Sequence, residues 1–175
     1  MSAPNSNASR RGFLGALAAS GATLGATRVA AAPDKLDPTG IKKDTDVACV
    51  YHCDFGDPGR FGQMLTNISN HLSVYEFDPF KVKIVVVAHG AGIKFFLADL
   101  SGTNWANETI DPELYQRFAG LTKYGVEGYL CEITYKRQNI DLAKTRNDPF
   151  LKFVPSGVAT VAELQTKGFA YIKVG

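Results

Sequence analysis

Apolar positions change their spacing several times along this chain, and each change marks an element. Val47-Ala48-Cys49-Val50-Tyr51-His52-Cys53 is a short apolar run of strand length. Asp54 to Gly59 is rich in Asp, Gly and Pro and reads as a loop. Phe61, Leu65, Ile68, Leu72 and Tyr75 then recur every three or four residues, which predicts an amphipathic helix over about Arg60–Tyr75. Asp78-Pro79 ends it. Val82 to Ala88 is nearly continuous and β-branched, the pattern of a strand buried on both faces.

Further on, Ala91–Leu100 has the composition of a short helix and Ser101–Ile110 that of a polar loop. Asp111-Pro112-Glu113 is a helix start, with Asp in the capping position and Pro in the first turn. That helix runs to Tyr124 and stops at Gly125. Val126–Cys131 is a third strand, and Ile133–Leu142 is helical. Phe153-Val154-Pro155 is a short strand, Val158–Thr166 a helix closed by Gly168, and Phe169–Val174 a last strand. Strands alternate with helices through short connections. This order predicts an α/β fold: a three-layer α/β/α domain on a mostly parallel sheet of five strands.

The first residues follow another pattern. Ser9-Arg10-Arg11-Gly12-Phe13-Leu14 pairs two arginines ahead of a mild Ala- and Gly-rich stretch, and Val29-Ala30-Ala31-Ala32 supplies small residues for cleavage. The combination reads as a twin-arginine signal peptide over residues 1–31, cleaved after Ala31. Its apolar stretch falls short of the ~20 strongly apolar residues that span a bilayer. The remainder divides into a polar lead-in, 32–45, and one domain, 46–175. The expected location is the periplasm, with no membrane attachment after cleavage.

The signal changes the charge balance. Residues 1–31 hold three arginines and no acid, so the formal net charge falls from +2 to −1 when they leave. A chain near neutrality gives no electrostatic case for nucleic acid. The remaining 144 residues suffice for one cored domain.

In a parallel sheet, ligands bind beyond the carboxyl ends of the strands. The first strand ends in His52-Cys53, the second in His89-Gly90-Ala91-Gly92, and the third in Cys131-Glu132. Cys131 ends a strand and precedes a helix, a placement that favours a thiolate, with Lys136 and Arg137 close behind. It is the candidate catalytic residue. His52, Cys53, His89 and Cys131 together offer imidazole and thiolate, a set suited to zinc or copper, although their spacing matches no known ligand motif. Cys53 and Cys131 could also form a redox pair if their strands are neighbours. Cys49 and Cys53 are about 13 Å apart along one strand and cannot be bridged. Cys49 reads as a buried small hydrophobe, His71 as a helix-surface residue, and Asp54, Asp57 and Glu132 as solvated acids. Gly90-x-Gly92 is too short for a dinucleotide fingerprint but is a weak anion cradle. Hydrolase motifs are absent from the sequence, and no cofactor is expected.

Several of these segments, in this order, resemble the DsrE/DsrF-like family. They are Tyr51-His52, Leu65 to Leu72, Val87 to Ile93, Gly125-Val126-Glu127 leading to Cys131, Val154 to Val158, Leu164-Gln165 and Gly168 to Tyr171. The resemblance covers the chain from about Val47 to its end. It implies a compact α/β/α domain assembled as a homo-oligomer, a trimer or hexamer. It also implies a sulfur carrier whose cysteine, at the position of Cys131, holds sulfur as a persulfide and exchanges it with a donor or acceptor protein. The carriers it resembles are cytoplasmic, whereas this chain has the pattern of an exported one.

Overall fold

A computed structural model describes residues 32–175. The proposed signal peptide, 1–31, lies outside them. Six strands form one sheet: β1 (Asp34–Lys35), β2 (Val47–Cys53), β3 (Val82–Ala88), β4 (Glu127–Cys131), β5 (Leu151–Val154) and β6 (Ala170–Ile172). Their order is β1-β5-β4-β3-β2-β6, and every pairing is parallel. The helices are α1 (Pro58–Val74), α2 (Pro112–Thr122), α3 (Glu132–Gln138) and α4 (Gly157–Thr166).

The expected α/β/α layering is present. Side chains alternate across each strand, so the sheet has two apolar faces. One carries Cys49, Tyr51, Cys53, Ile84, Val86, Ala88 and Leu130, packed under α1 and α2 with Phe61, Leu65, Ile68 and Phe118. The other carries Ala48, Val50, Val85, Val87, Tyr129 and Val154, packed under α4 with Val161 and Leu164. Residues Ile84 to Ala88 of β3 are all at most 1% exposed. This double burial explains why their sequence is continuously apolar instead of alternating.

The sheet has six strands, not five. The additional one, β1, falls in the stretch that the sequence marks only as a polar lead-in. Both of its residues are exposed. It is held by backbone pairing to β5, by Leu36 N–H donating to Phe153 O at 2.7 Å, and by the Lys152–Asp34 ion pair at 3.1 Å. An element two residues long without a buried side chain leaves no apolar period to read.

Two expected helices differ in form. Ala91–Leu100 becomes a 3-10 segment, Gly90–Phe96, entered through Gly90 at φ +54° and buried from Gly92 to Phe96. Ile133–Leu142 divides at Asn139, whose left-handed backbone (φ +53°) closes α3; a separate 3-10 turn, Leu142–Lys144, follows. The other boundaries lie within a few residues of the expected ones. No helix of the described residues is long and apolar enough to cross a membrane.

The chain winds β2 to β5 across the sheet in one direction. It then crosses back through α4 to place β6 beside β2. α3, which follows β4, packs Tyr135 into the α1 face, while α4, which follows β5, covers the other. The connections leaving β4 and β5 therefore diverge, which makes that carboxyl edge a switch point of the kind where ligands bind in such sheets.

Candidate functional site

His52 is penultimate in β2, His89 directly follows β3 in extended conformation, and Cys131 ends β4. By the two-residue alternation His52 continues the face of Ala48 and Val50. His89 continues that of Val85 and Val87, and Cys131 that of Tyr129. All three lie on the α4 face at the carboxyl edge. Cys53, one residue beyond His52, falls on the opposite face and is 0% exposed. The sheet therefore puts three of the four proposed metal-site residues on one face and excludes the fourth; of the three, only the two histidines bring ligand atoms together, with Asp54 and not Cys131 as the third group. Burial also pushes the Cys53 thiol well above its ordinary pKa, with Asp54 adding to the effect.

The two imidazoles point at one another. Their Nε2 atoms are 2.6 Å apart and the ring centroids 4.7 Å apart. Tyr171 of β6, on the far side of β2, sets its hydroxyl 3.2 Å from His52 Nδ1. A ligand atom each from His52, His89 and Asp54 lies within 4.8 Å of the other two. Burial holds both histidines below the usual imidazole pKa. For His89 the neighbouring His52 lowers it further, while Asp54 opposes the shift in both. Neutral rings are the form in which a nitrogen lone pair is free to accept a proton or a metal.

Gly157, the first residue of α4, joins this pair to the cysteine. A Cβ on it would stand 3.0 Å from His89 Cβ and 3.1 Å from Cys131 Cβ. The bare backbone is what lets α4 sit against both side chains. Ser156 caps that helix, its Oγ accepting from Ala159 N–H at 3.3 Å. A cavity of about 370 Å³ opens beside them, lined by Glu132, Ile133, Lys136, Leu142 and Pro155. It lies against the residues that immediately follow Cys131 and Val154. A larger cavity, about 680 Å³, sits at the amino ends of β3 and β4, around Lys83 and Glu127. It lies at the opposite edge of the sheet from this chemistry.

Several sequence readings change here. Cys49, Cys53 and Cys131 are all free thiols. β3 lies between β2 and β4, so Cys53 and Cys131 are not on neighbouring strands and the proposed redox pair is not formed. The Gly90-x-Gly92 cradle is already filled: Gly90 N–H donates to Thr134 Oγ1 at 3.0 Å and Gly92 N–H to His89 O at 3.1 Å. Gly92 serves close packing instead, since a Cβ there would stand 2.1 Å from Cys53 O. His71 is half-buried, with Nδ1 3.2 Å from Tyr51 Oη and Nε2 3.8 Å from Cys49 Sγ. Asp57 caps α1, and Glu132 pairs with Lys35.

Asp54, Tyr171 and Gly157 are the residues that sequence reasoning missed. Asp54 is one of several loop acids, and Tyr171 is 119 residues from its histidine partner. The Tyr171 signal is only its place on the last strand, the strand that ends beside β2.

Taken together, the molecule is a parallel α/β domain with paired imidazoles and a thiol on one face of its carboxyl edge. The sequence model of the DsrE/DsrF-like family matches residues 1–174, and the chain belongs to that family. Among solved structures it is similar to MTH1491, a protein of unknown function from Methanobacterium thermoautotrophicum. The identity is 26%, the match covers 73% of this chain and 99% of that one, and the TM-score is 0.59. No curated protein matches it significantly.

Proposed function

We propose that this protein is an exported sulfur carrier that holds sulfane sulfur as a persulfide on Cys131. The observation that carries the reading is the position of Cys131. It is the one cysteine on the face of the paired histidines, at the carboxyl end of a central strand, and the least buried of the three at 5% exposed. The family likeness supports the same residue. The Arg10-Arg11 signal pattern supports a periplasmic location, and the resemblance supports a homo-oligomer, a trimer or hexamer.

The chemistry needs no outside oxidant. The Cys131 thiol gives its proton to solvent, and the thiolate attacks the outer sulfur of a donor persulfide, R–S–S–H. A new S–S bond forms on Cys131 Sγ, the donor S–S bond breaks, and the donor leaves as the thiolate R–S⁻. Delivery to an acceptor thiolate is the same exchange in reverse.

Intact mass spectrometry after incubation with inorganic polysulfide tests this. The expected result is a gain of one or more sulfur atoms, removed by dithiothreitol and absent in Cys131→Ser. An unchanged wild-type mass, or an equal gain in Cys131→Ser, overturns the proposal.

A further inference from the structure

We infer that His52, His89 and Asp54 form a binding site for one divalent transition-metal ion, independent of the cysteine chemistry. The two Nε2 atoms face one another at 2.6 Å, so either one neutral ring donates an N–H to the other or a cation lies between two lone pairs. The third group favours a metal, because a carboxylate oxygen of Asp54 and one ring nitrogen from each histidine all lie within 4.8 Å of one another. A proton held between two imidazoles has no use for a third ligand, whereas a metal ion takes at least three.

The surroundings fit a metal as well. Tyr171 Oη stands 3.2 Å from His52 Nδ1, so it can accept that ring's N–H and leave Nε2 bare toward the ion. An outer partner that fixes the tautomer in this way is the usual companion of a metal-ligating histidine. Both rings are half-buried and rise from the ends of adjacent central strands, positions set by the β2–β3 register in which His52 pairs with Val87. Asp54, in contrast, is exposed on the loop after β2 and keeps one side of the site open to solvent. Two imidazoles and one carboxylate suit zinc, copper(II) or nickel(II) over calcium or magnesium. Three protein ligands with an open fourth position is the arrangement that admits an outside ligand.

The rings must part slightly to accept the ion. Tetrahedral zinc holds two ligand nitrogens about 3.3 Å apart, a widening of about 0.7 Å. Small rotations of two half-buried side chains supply it. Arg60, the cation that acts on His52, is already engaged: its Nη2 donates to Val174 O at 2.8 Å and its guanidinium stacks on Phe55.

The test is equilibrium dialysis of the untagged protein against zinc, followed by elemental analysis, with cobalt(II) as a spectroscopic substitute. The expected result is one tightly held zinc per chain in wild type and equally in Cys131→Ser. It is lost in His52→Ala and His89→Ala. Asp54→Asn and Tyr171→Phe, both at accessible positions, cover the case in which a histidine variant fails to fold. Each should weaken binding by about 10-fold or more. The cobalt spectrum should lack a thiolate charge-transfer band. Absence of stoichiometric zinc in wild type, retention in the folded histidine variants, or a thiolate band lost in Cys131→Ser would overturn the inference. Because Cys131→Ser must keep the metal and lose the sulfur, the two proposals fail separately.

Discussion

Cys53 and Cys131 end strands that do not touch, and their side chains occupy opposite faces of the sheet. Cys53 pairs with Ala88 of β3, and Ala88 pairs in turn with Leu130, the neighbour of Cys131. Two inter-strand steps separate the Cα atoms by about 9–10 Å, beyond the reach of a disulfide. Oxidation therefore leaves these two thiols unbridged within a chain.

The three thiols should react in a fixed order. Cys131 labels first with a small alkylating reagent, because it lies at the sheet edge. Cys49, mid-strand and 2% exposed, follows. Cys53, fully buried with its thiolate disfavoured, labels only when the chain unfolds globally. Time-resolved labelling with peptide mapping measures the order. Equal rates at all three positions would contradict it.

Two glycines should respond differently to alanine. At Gly92 the added Cβ meets the Cys53 carbonyl oxygen at 2.1 Å, and a central strand cannot retreat. The expected loss is about 3 kcal/mol, at the upper end of overpacking. At Gly157 the contacts are at 3.0 and 3.1 Å with the Cβ atoms of His89 and Cys131, so the start of α4 must shift by only a few tenths of an ångström. There the expected loss is about 1 kcal/mol, with slower sulfur loading on Cys131 as the more telling effect. Urea unfolding of both variants separates them, and a Gly157→Ala loss as large as that of Gly92→Ala would contradict the ranking.

His71 should make stability depend on pH. Burial lowers its pKa below 6.5, the value it regains in the unfolded chain. Between the two values the unfolded chain binds more protons, so stability rises with pH. The contribution is complete above about pH 6.5 and is lost as pH falls through the folded value. Urea midpoints at about pH 7.5 and 5 measure the drop, which should be smaller in His71→Gln than in wild type. The other histidines stay in both proteins, so the difference reports His71; equal drops would dismiss it.

Ser156→Ala removes the cap of α4. One helix-end donor loses its partner, and the expected loss is about 1 kcal/mol. Because Gly157 is the next residue, the variant should also raise the labelling rate of Cys131. Unfolding and labelling in parallel measure both, and a stability loss without faster labelling would show that the cap does not hold the thiol's surroundings.

The strands that carry the site were legible because burial on both faces writes itself into composition. Val82–Ala88 and Val47–Cys53 were read to the residue. The edges were not. β1 offers no side chain to the core, and the segment after His89 takes a 3-10 path that a helical period does not distinguish from an α-helix. Cys53 illustrates the limit best. Its neighbour His52 made it look like a partner in the same site, but consecutive strand residues point to opposite faces, so only one of the two can belong.

The sequence by itself determined the α/β order, the three strand ends where His52, His89 and Cys131 lie, and the likeness to a family. These are local properties: apolar period, capping residues and the order of segments. The tertiary structure decided which of those ends meet. Strand order put β3 between the cysteines, and the pleat sent Cys53 away from His52. The crossover through α4 brought Tyr171 to His52, and Gly157 between His89 and Cys131. Register and strand order follow from packing the whole sheet against its helices. No window of the chain contains that information, because partners such as His52 and Tyr171 are 119 residues apart.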